Sequence, residues 1–477
     1  MAVNRYARKL SPLLQQGDYE TDQLCKVIVE LSGRGTDQID ALVRANNGKI
    51  HCKLGVVPSL VVELPYYSIP ELAKLRQVKR IWHDAQVKSL LNTAVPAACG
   101  FTPKKLPFTG KKITIAILDT GVYPHQDLTY PSNRIIAWAD FVNNRAEPYD
   151  DNGHGTHVAG IIAGNGSGSF GKYRGMAPEA DLAVIKVLDK DGNGSLSAII
   201  EGIDWCIKNK TKYNIKVINL SFGAVVQESY RTDLLCRATS AAWDEGILVC
   251  AAAGNDGPEE GTINTPGINP KIITVGNLDH RRTAAGDDDD LHPTSSRGPT
   301  RDRLVKPDLL APGTKIISIR PGGGYRSLTG TSMAASLVSG AIALILEKDP
   351  RLRPDQVKKL LTKNARPLAL EKYEQGAGVI NLEKILTPPP NSFRTQTLRG
   401  NQPLKDSKLK ACQVASFLEY KSNYQGNHLF NPYLLFLILI LLISASPGYF
   451  ANTNPYFLFL ILVLLILGCT PAQSIYY

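Results

Sequence analysis

The chain of 477 residues carries 54 Lys and Arg against 43 Asp and Glu, is 43% hydrophobic and 20% charged, and is long enough for two or three domains. That composition excludes a wholly disordered chain, a collagen and a disulfide-stapled miniprotein. The net charge of +11 is spread along the sequence with no zinc-finger or RNA-binding signature beside it, so no nucleic-acid partner is expected.

Up to about residue 100, short apolar runs alternate with polar helical stretches: Val27 to Leu31, a helix near Thr36 to Ala45, Lys49 to Leu64, a helix near Ile69 to Arg76, then Val78 to Trp82. This order predicts a small α+β sandwich. From Lys111 the strands become apolar on both faces (KITIAIL, LAVIKVL, KVINLSF, GILVCAAAG) with helical segments between them, which predicts an α/β fold whose parallel sheet is covered by helices on both faces. Pro388 to Pro390 open a polar stretch that reads as a linker over 388–429.

The tail, 430–470, repeats itself as NPYLLFLILILLI from Asn431 and NPYFLFLILVLLI from Asn454. A helical run of about 12 to 14 residues is roughly 20 Å long, short of the ~30 Å hydrocarbon core of a bilayer. The expected arrangement is a membrane-seated or re-entrant hairpin; a buried helical hairpin or oligomer contact is the alternative. Were the tail to span twice, both its ends would share one side, with the basic linker on the cytoplasmic face. The eight cysteines (Cys25, Cys52, Cys99, Cys206, Cys236, Cys250, Cys412 and Cys469) lie far apart, and MAVNRYARKLSPLLQQ lacks the apolar core of a secretory signal. Free buried thiols and a reducing, cytoplasmic setting with membrane association through the tail are therefore expected.

Three segments carry candidate chemistry. In ITIAILDTGV a buried strand delivers Asp119 to the carboxyl end of a parallel sheet, where ligands collect; a turn aspartate is the bland alternative. In DDNGHGTHVAGIIAG, His157 is read as opening a small-residue helix, with His154 one turn earlier. The pair could be an H-x-x-H metal site, a structural histidine or a general base. Because H-E-x-x-H is absent, the general base is the reading taken, on His157. In SLTGTSMAASLVSGAIALIL, Ser332 begins a long apolar helix, as a nucleophile at a positive helix end or as a mere N-cap. No G-x-S-x-G is present, so an α/β-hydrolase elbow is not supported.

A hydroxyl needs a base to take its proton, and that base needs a carboxylate. Asp119, His157 and Ser332 supply the set, and Asn255, closing GILVCAAAGNDG, supplies an amide for an oxyanion. LDTGV, NGHGTHVAG, AAAGNDG and GTSMAA, in the order Asp, His, Ser, together resemble the subtilisin-type serine proteases, the subtilases. The resemblance runs from about Lys111 to Leu386, through GMAPEADLAVIKVLDKDGNGS, INLSFG, SSRGPT and KPDLLAPG; EPYDDNGHGTH and EGIDWCI make it closest to the intracellular AprX-like branch.

It implies a subtilisin-like sheet and a serine endopeptidase acting on peptides or proteins through an acyl-enzyme, with broad specificity and no cofactor for the chemistry. By motif, Ser221, Phe222 and Gly223 would pair with an extended substrate, and Ala252, Ala253 and Gly254 would wall the first specificity pocket. Asp256, Glu259 and Glu260 could bias that pocket toward basic side chains. Asp127, in HQDL, matches a structural calcium ligand of many relatives, which makes it the candidate ligand of a structural calcium here, while the loop Asn165 to Gly171 does not clearly match the usual binding loop. The acidic run Asp287 to Asp290 reads as a solvated turn, with calcium as its alternative.

Ala335 and Ser336 replace the family's usual Thr-Pro or Ala-Pro, a change that leaves activity open because proline there is tolerated, not required. The first hundred residues resemble the inhibitory, chaperone-like prodomain of subtilases, which implies an intramolecular inhibitor cut off between about Lys88 and Gly100; a permanent accessory domain is the alternative. The expected organisation is a prodomain over 1–100, a peptidase domain over 101–387, the linker and the hairpin. The rival function is an inactive peptide-binding or membrane-scaffolding pseudoprotease.

Overall fold

The computed structural model of the chain describes residues 6–33, 36–90, 107–281 and 288–386. The expected linker and apolar hairpin lie outside these residues, as does most of the stretch expected to hold the cleavage site.

The first four strands, β1 (Leu24–Leu31), β2 (Lys49–Leu54), β3 (Ser59–Pro65) and β4 (Val78–His83), form an antiparallel sheet in the order β2-β3-β1-β4. Helices α1 (Asp37–Ala45) and α2 (Ile69–Lys74) accompany it. Alternation along the strands divides the side chains between two cores. Val27, Val29, Val62 and Ile81 pack with Ile39 and Leu72 of the helices. Ile28, Val61 and Trp82 face the other way and join the large core that continues into the rest of the chain.

The chain next forms β5 (Gln86–Ser89) and, after the undescribed 91–106, enters an eight-stranded sheet. Its members in chain order are β6 (Thr114–Asp119), β7 (Ile135–Asp140) and β8 (Asp181–Lys186), which follows helix α3 (His154–Ala163). A short strand β9 (Asn193–Ser195), outside this sheet, leads into helix α4 (Leu196–Asn209) and then β10 (Ile215–Leu220). Beyond the two-residue β11 (Phe222–Gly223) and helix α5 (Leu234–Asp244), the sheet is completed by β12 (Leu248–Ala252), β13 (Ile273–Asp279), β14 (Asp290–Leu291) and β15 (Leu309–Pro312). Pairing is parallel throughout except at β14, in the order β14-β13-β12-β10-β6-β8-β7, with β15 on β13.

Every residue of β6 is buried, as a strand covered on both faces requires. A hairpin of β16 (Ile316–Ile319) and β17 (Tyr325–Leu328) then leads into helix α6 (Thr331–Lys348). Ser339 of α6 bonds Asn219, whose register partner is Ile117, whereas Gly202 of α4 abuts Leu118, the next residue of β6. Consecutive strand residues point to opposite faces, so α6 and α4 cover opposite sides of the sheet. α6 is long and apolar enough to cross a membrane, but it is the buried central helix of this core.

The chain enters the sheet at β6 and leaves it on both sides, toward β8 and β7 one way and β10 and β12 the other. That reversal opens a crevice at the carboxyl ends of β6 and β10. Asp119 ends β6, and Ser221 directly follows β10.

Candidate active site

Asp119 is fully buried, and its Oδ1 accepts from its neighbour Thr120 N (2.7 Å) and from His154 Nδ1 (2.7 Å). A carboxylate only accepts, so the His154 ring proton is on Nδ1 and Nε2 is left as an acceptor. That Nε2 is buried with no protein partner.

The histidine facing Asp119 is therefore His154, and the sequence-based choice of His157 is corrected. The helix opens at His154, after Gly153 in a left-handed conformation (φ +96°), and His157 lies one turn further in. There the His157 Nε2–H donates to the carbonyls of Ile316 and Arg326 (3.1 Å each), bridging β16 and β17, while its own carbonyl accepts from Ser318 Oγ (2.8 Å). Complete burial, helped by the charges of Arg326 and His154, pushes the His157 imidazole down to about 3, so it is neutral and structural.

The glycine between the histidines is dictated by contact: a Cβ on Gly155 would lie 2.1 Å from the Gly121 carbonyl and 3.1 Å from Asp119 Oδ1. Asp150, which sequence reasoning did not assign a role, holds this turn together. Its Oδ1 accepts from Thr120 Oγ1 (2.9 Å), Asn152 N (3.1 Å) and Gly153 N (2.7 Å), and its Oδ2 from Thr156 N (2.9 Å) and Thr156 Oγ1 (2.5 Å). Thr120 Oγ1 also accepts from Gly155 N (2.9 Å), so one carboxylate ties the segment after Asp119 to the segment bearing His154. Below them Lys186, fully buried, donates to the carbonyls of Thr120 and Leu188 and to Asp151, satisfying all three of its protons.

Ser332 is the second residue of α6, where its N–H has no intrahelical acceptor. Its Oγ lies 2.8 Å from each of two carbonyl oxygens, those of Ser221 and Leu90. Asn255 is oriented by its neighbours: Thr331 N and Thr331 Oγ1 both donate to its Oδ1 (3.0 Å each), which turns the NH2 the other way. That Nδ2 is buried without a protein partner. A Cβ on Gly330 would fall 2.9 Å from Asn255 Nδ2 and 3.0 Å from the Leu90 oxygen, so only glycine leaves this corner open. At the family departure, Ser336 Oγ bonds back to the Ser332 carbonyl (2.7 Å) and leaves the helix start intact.

Leu90 directly follows a strand held between two edges. β5 pairs antiparallel with β11 (Phe222 with Ser89, Gly223 with Lys88) and with β9 (Gln86 with Ser195, Val87 with Gly194, Lys88 with Asn193). Leu90 N adds a long bond to the Ser221 carbonyl (3.4 Å). Thus the segment Ser221 to Gly223 binds an extended chain, and that chain is the protein's own. Asn264, buried against both Gly223 and Gly254, links the expected substrate-pairing segment to the expected pocket wall and donates to Asp256 Oδ2 (2.8 Å). Ala252 ends β12, and Ala253 accepts from Asn264 N (2.9 Å).

The N-terminal sheet is clasped to the rest by charge: Arg80 pairs with Glu228, Glu30 with Arg237 (2.8 Å), and Asp84 accepts from Ser197 N (2.8 Å) and Oγ (2.7 Å) at the start of α4. The five described cysteines are free thiols, with burial pushing Cys52 and Cys250 up to about 12. Of the acidic run expected as a solvated turn, Asp287 lies outside the described residues, the Asp289 side chain is only 7% exposed and pairs with Arg366, and Asp290 begins β14 and pairs with Arg281. Among the described residues no cluster of His, Cys, Asp and Glu has the makings of a metal site, and Asp127 lies within hydrogen-bond reach of donors rather than in a cage of oxygens.

Residues 110–379 match the subtilase family, Peptidase S8. The chain is 43% identical over 354 residues to serine protease AprX of Bacillus subtilis (strain 168), covering 70% of this chain and 78% of that one. It is 34% identical over 351 residues to subtilisin E of the same organism, covering 72% and 84%. In structure it resembles fervidolysin of Fervidobacterium pennivorans, described as a keratinolytic enzyme related to subtilisin, with a TM-score of 0.63 and 24% identity. That match covers 80% of this chain and 63% of the other.

Proposed function

Because the chain belongs to the subtilase family and is a subtilisin-type serine endopeptidase, we propose that it cuts peptide bonds with Ser332 as nucleophile, His154 as base and Asp119 as the carboxylate behind it. On this reading Ser332 Oγ leaves the Leu90 and Ser221 carbonyls, turns toward His154 Nε2 and gives up its proton there. Attack on the carbonyl carbon would place the resulting oxyanion before the Ser332 N–H and the Asn255 NH2, the latter buried without a protein partner. The imidazolium, steadied by Asp119, returns its proton to the leaving amine, and the acyl-enzyme is hydrolysed by water in the same way.

The observation that carries this reading is the Leu90 carbonyl oxygen, 2.8 Å from Ser332 Oγ, at the end of a strand paired on both sides like a substrate. We infer that residues 1–90 act as an intramolecular inhibitor and that the first bond cut is Leu90–Leu91. Recognition through the backbone of β9 and β11 favours broad sequence tolerance, anchored by Leu90 before the cut and by buried Val87 three residues upstream.

Expression of the full chain tests this. The wild type should yield a new N-terminus at Leu91 and hydrolyse peptides, while the Ser332→Ala and His154→Ala chains should stay uncut and inert. A fluorophosphonate should label Ser332 in the wild type and not in His154→Ala. Peptide hydrolysis by Ser332→Ala, or a His154→Ala enzyme as active as wild type, would overturn the assignment.

A further inference from the structure

Many relatives hold a calcium ion beside the aspartate that corresponds to Asp127. The residues present here do not fit one. Calcium takes six to eight oxygen ligands at about 2.3–2.6 Å. Asp127, fully buried, instead meets hydrogens: its Oδ1 accepts from Gly168 N (2.7 Å) and Ser167 Oγ (3.3 Å), and its Oδ2 from Tyr325 OH (2.8 Å). The loop that would wrap an ion presses against the carboxylate, and a Cβ on Gly168 would lie 3.0 Å from Asp127 Oδ1 and 3.0 Å from Tyr325 OH. There is no room for a metal without stripping these donors away.

A positive charge is nevertheless built into the same corner. Arg134 is only 7% exposed, and its guanidinium donates to three backbone carbonyls, those of Asp127, Ala163 and Ala180. Ala163 is the last residue of α3, where carbonyls are left without intrahelical partners and the helix dipole is negative. Asp127, Asp181 and Glu179 surround the guanidinium with opposite charge. One cation thus gathers the Asp127 turn, the end of the helix that begins at His154, and the entry to β8.

We propose that Arg134 is the resident cation of this corner, so that the Asp127 site is held by a guanidinium and by the Ser167, Gly168 and Tyr325 donors, and binds no calcium. The ligand class is replaced: carbonyl oxygens meet N–H groups fixed by the chain, where an ion would need to be captured from solution.

The test uses the full-length Ser332→Ala chain, so that self-digestion does not intrude, and follows thermal unfolding in excess EDTA and in millimolar calcium. The Tm should be the same in both. Tyr325→Phe, a mild change, should lower Tm by a few degrees and Arg134→Met by more, each equally with and without calcium. A calcium-dependent rise in Tm that disappears in Asp127→Asn would overturn the proposal, as would Arg134→Met and Tyr325→Phe chains that melt with the parent. A calcium effect undiminished in Asp127→Asn would locate the ion elsewhere and support the guanidinium clasp here.

Discussion

Exchanging His157 for glutamine should flatten the acid limb of the protein's stability curve. In the folded chain, burial first, then the charges of Arg326 and His154, hold the imidazole down to about 3, against 6.5 for the unfolded group. Between those values the unfolded chain binds a proton that the folded chain refuses, so stability falls as pH drops below 6.5 and this contribution is gone near pH 3. At 1.36 kcal/mol per pH unit the loss is about 3 kcal/mol by pH 4 and at most about 5 kcal/mol in all. Urea unfolding of Ser332→Ala chains, with and without His157→Gln, at pH 7, 5 and 4 measures it. The parent should lose about 3 kcal/mol more than the variant over that range. Parallel curves would refute the reasoning, because they would mean that the ring titrates alike in both states.

Three further outcomes follow from the site. Asn255→Leu should lower kcat by about 10²–10³ with little change in KM, the magnitude known for the same donor in subtilisin itself, and steady-state kinetics on a peptide substrate reads it. Asp150→Asn offers Thr156 an amide donor where its two hydrogens need an acceptor, so kcat should fall on the order of 10²-fold while KM holds, as the turn bearing His154 loosens from Asp119. Asp84→Ala removes the carboxylate that accepts from Ser197 N and Oγ in the first turn of α4, worth ~1 kcal/mol, and peptide hydrolysis by the freshly refolded full chain should appear about fivefold sooner.

Strands buried on both faces announce themselves in sequence, and Thr114–Asp119, Asp181–Lys186, Ile215–Leu220 and Leu248–Ala252 lie where the apolar runs predict them. Ile135–Asp140 is the sheet edge, with Ile136 exposed and Trp138 half-buried, so its apolar run IIAWA does not mark a strand covered on both faces. Leu309–Pro312 is hidden by flanking prolines and a glycine. Asp119 and Ser332 stand out because one closes an unmistakable strand and the other lies in the first turn of an unmistakable helix, while Asn255 follows a buried strand by three residues.

The two histidines differ only in where the helix begins. The signal is present in DDNG: a capping and turn cluster that ends at Gly153 makes His154 the first helical residue and leaves His157 a turn inside. The bond between Leu90 and the cleft is invisible beforehand, since it joins residues 242 positions apart in the chain.

Strand β5 (Gln86–Ser89) bridges two edges of one cleft, and on the proposed reading of residues 1–90 as an inhibitor this governs what dilution does to the enzyme. While the polypeptide is continuous, the competitor for the cleft would be tethered, which holds its effective concentration near ~mM however little protein is dissolved. With the link after Leu90 cut, occupancy would follow ordinary mass action and decline as the two pieces spread apart. A single covalent bond would then separate a lock indifferent to its surroundings from one that senses how crowded they are.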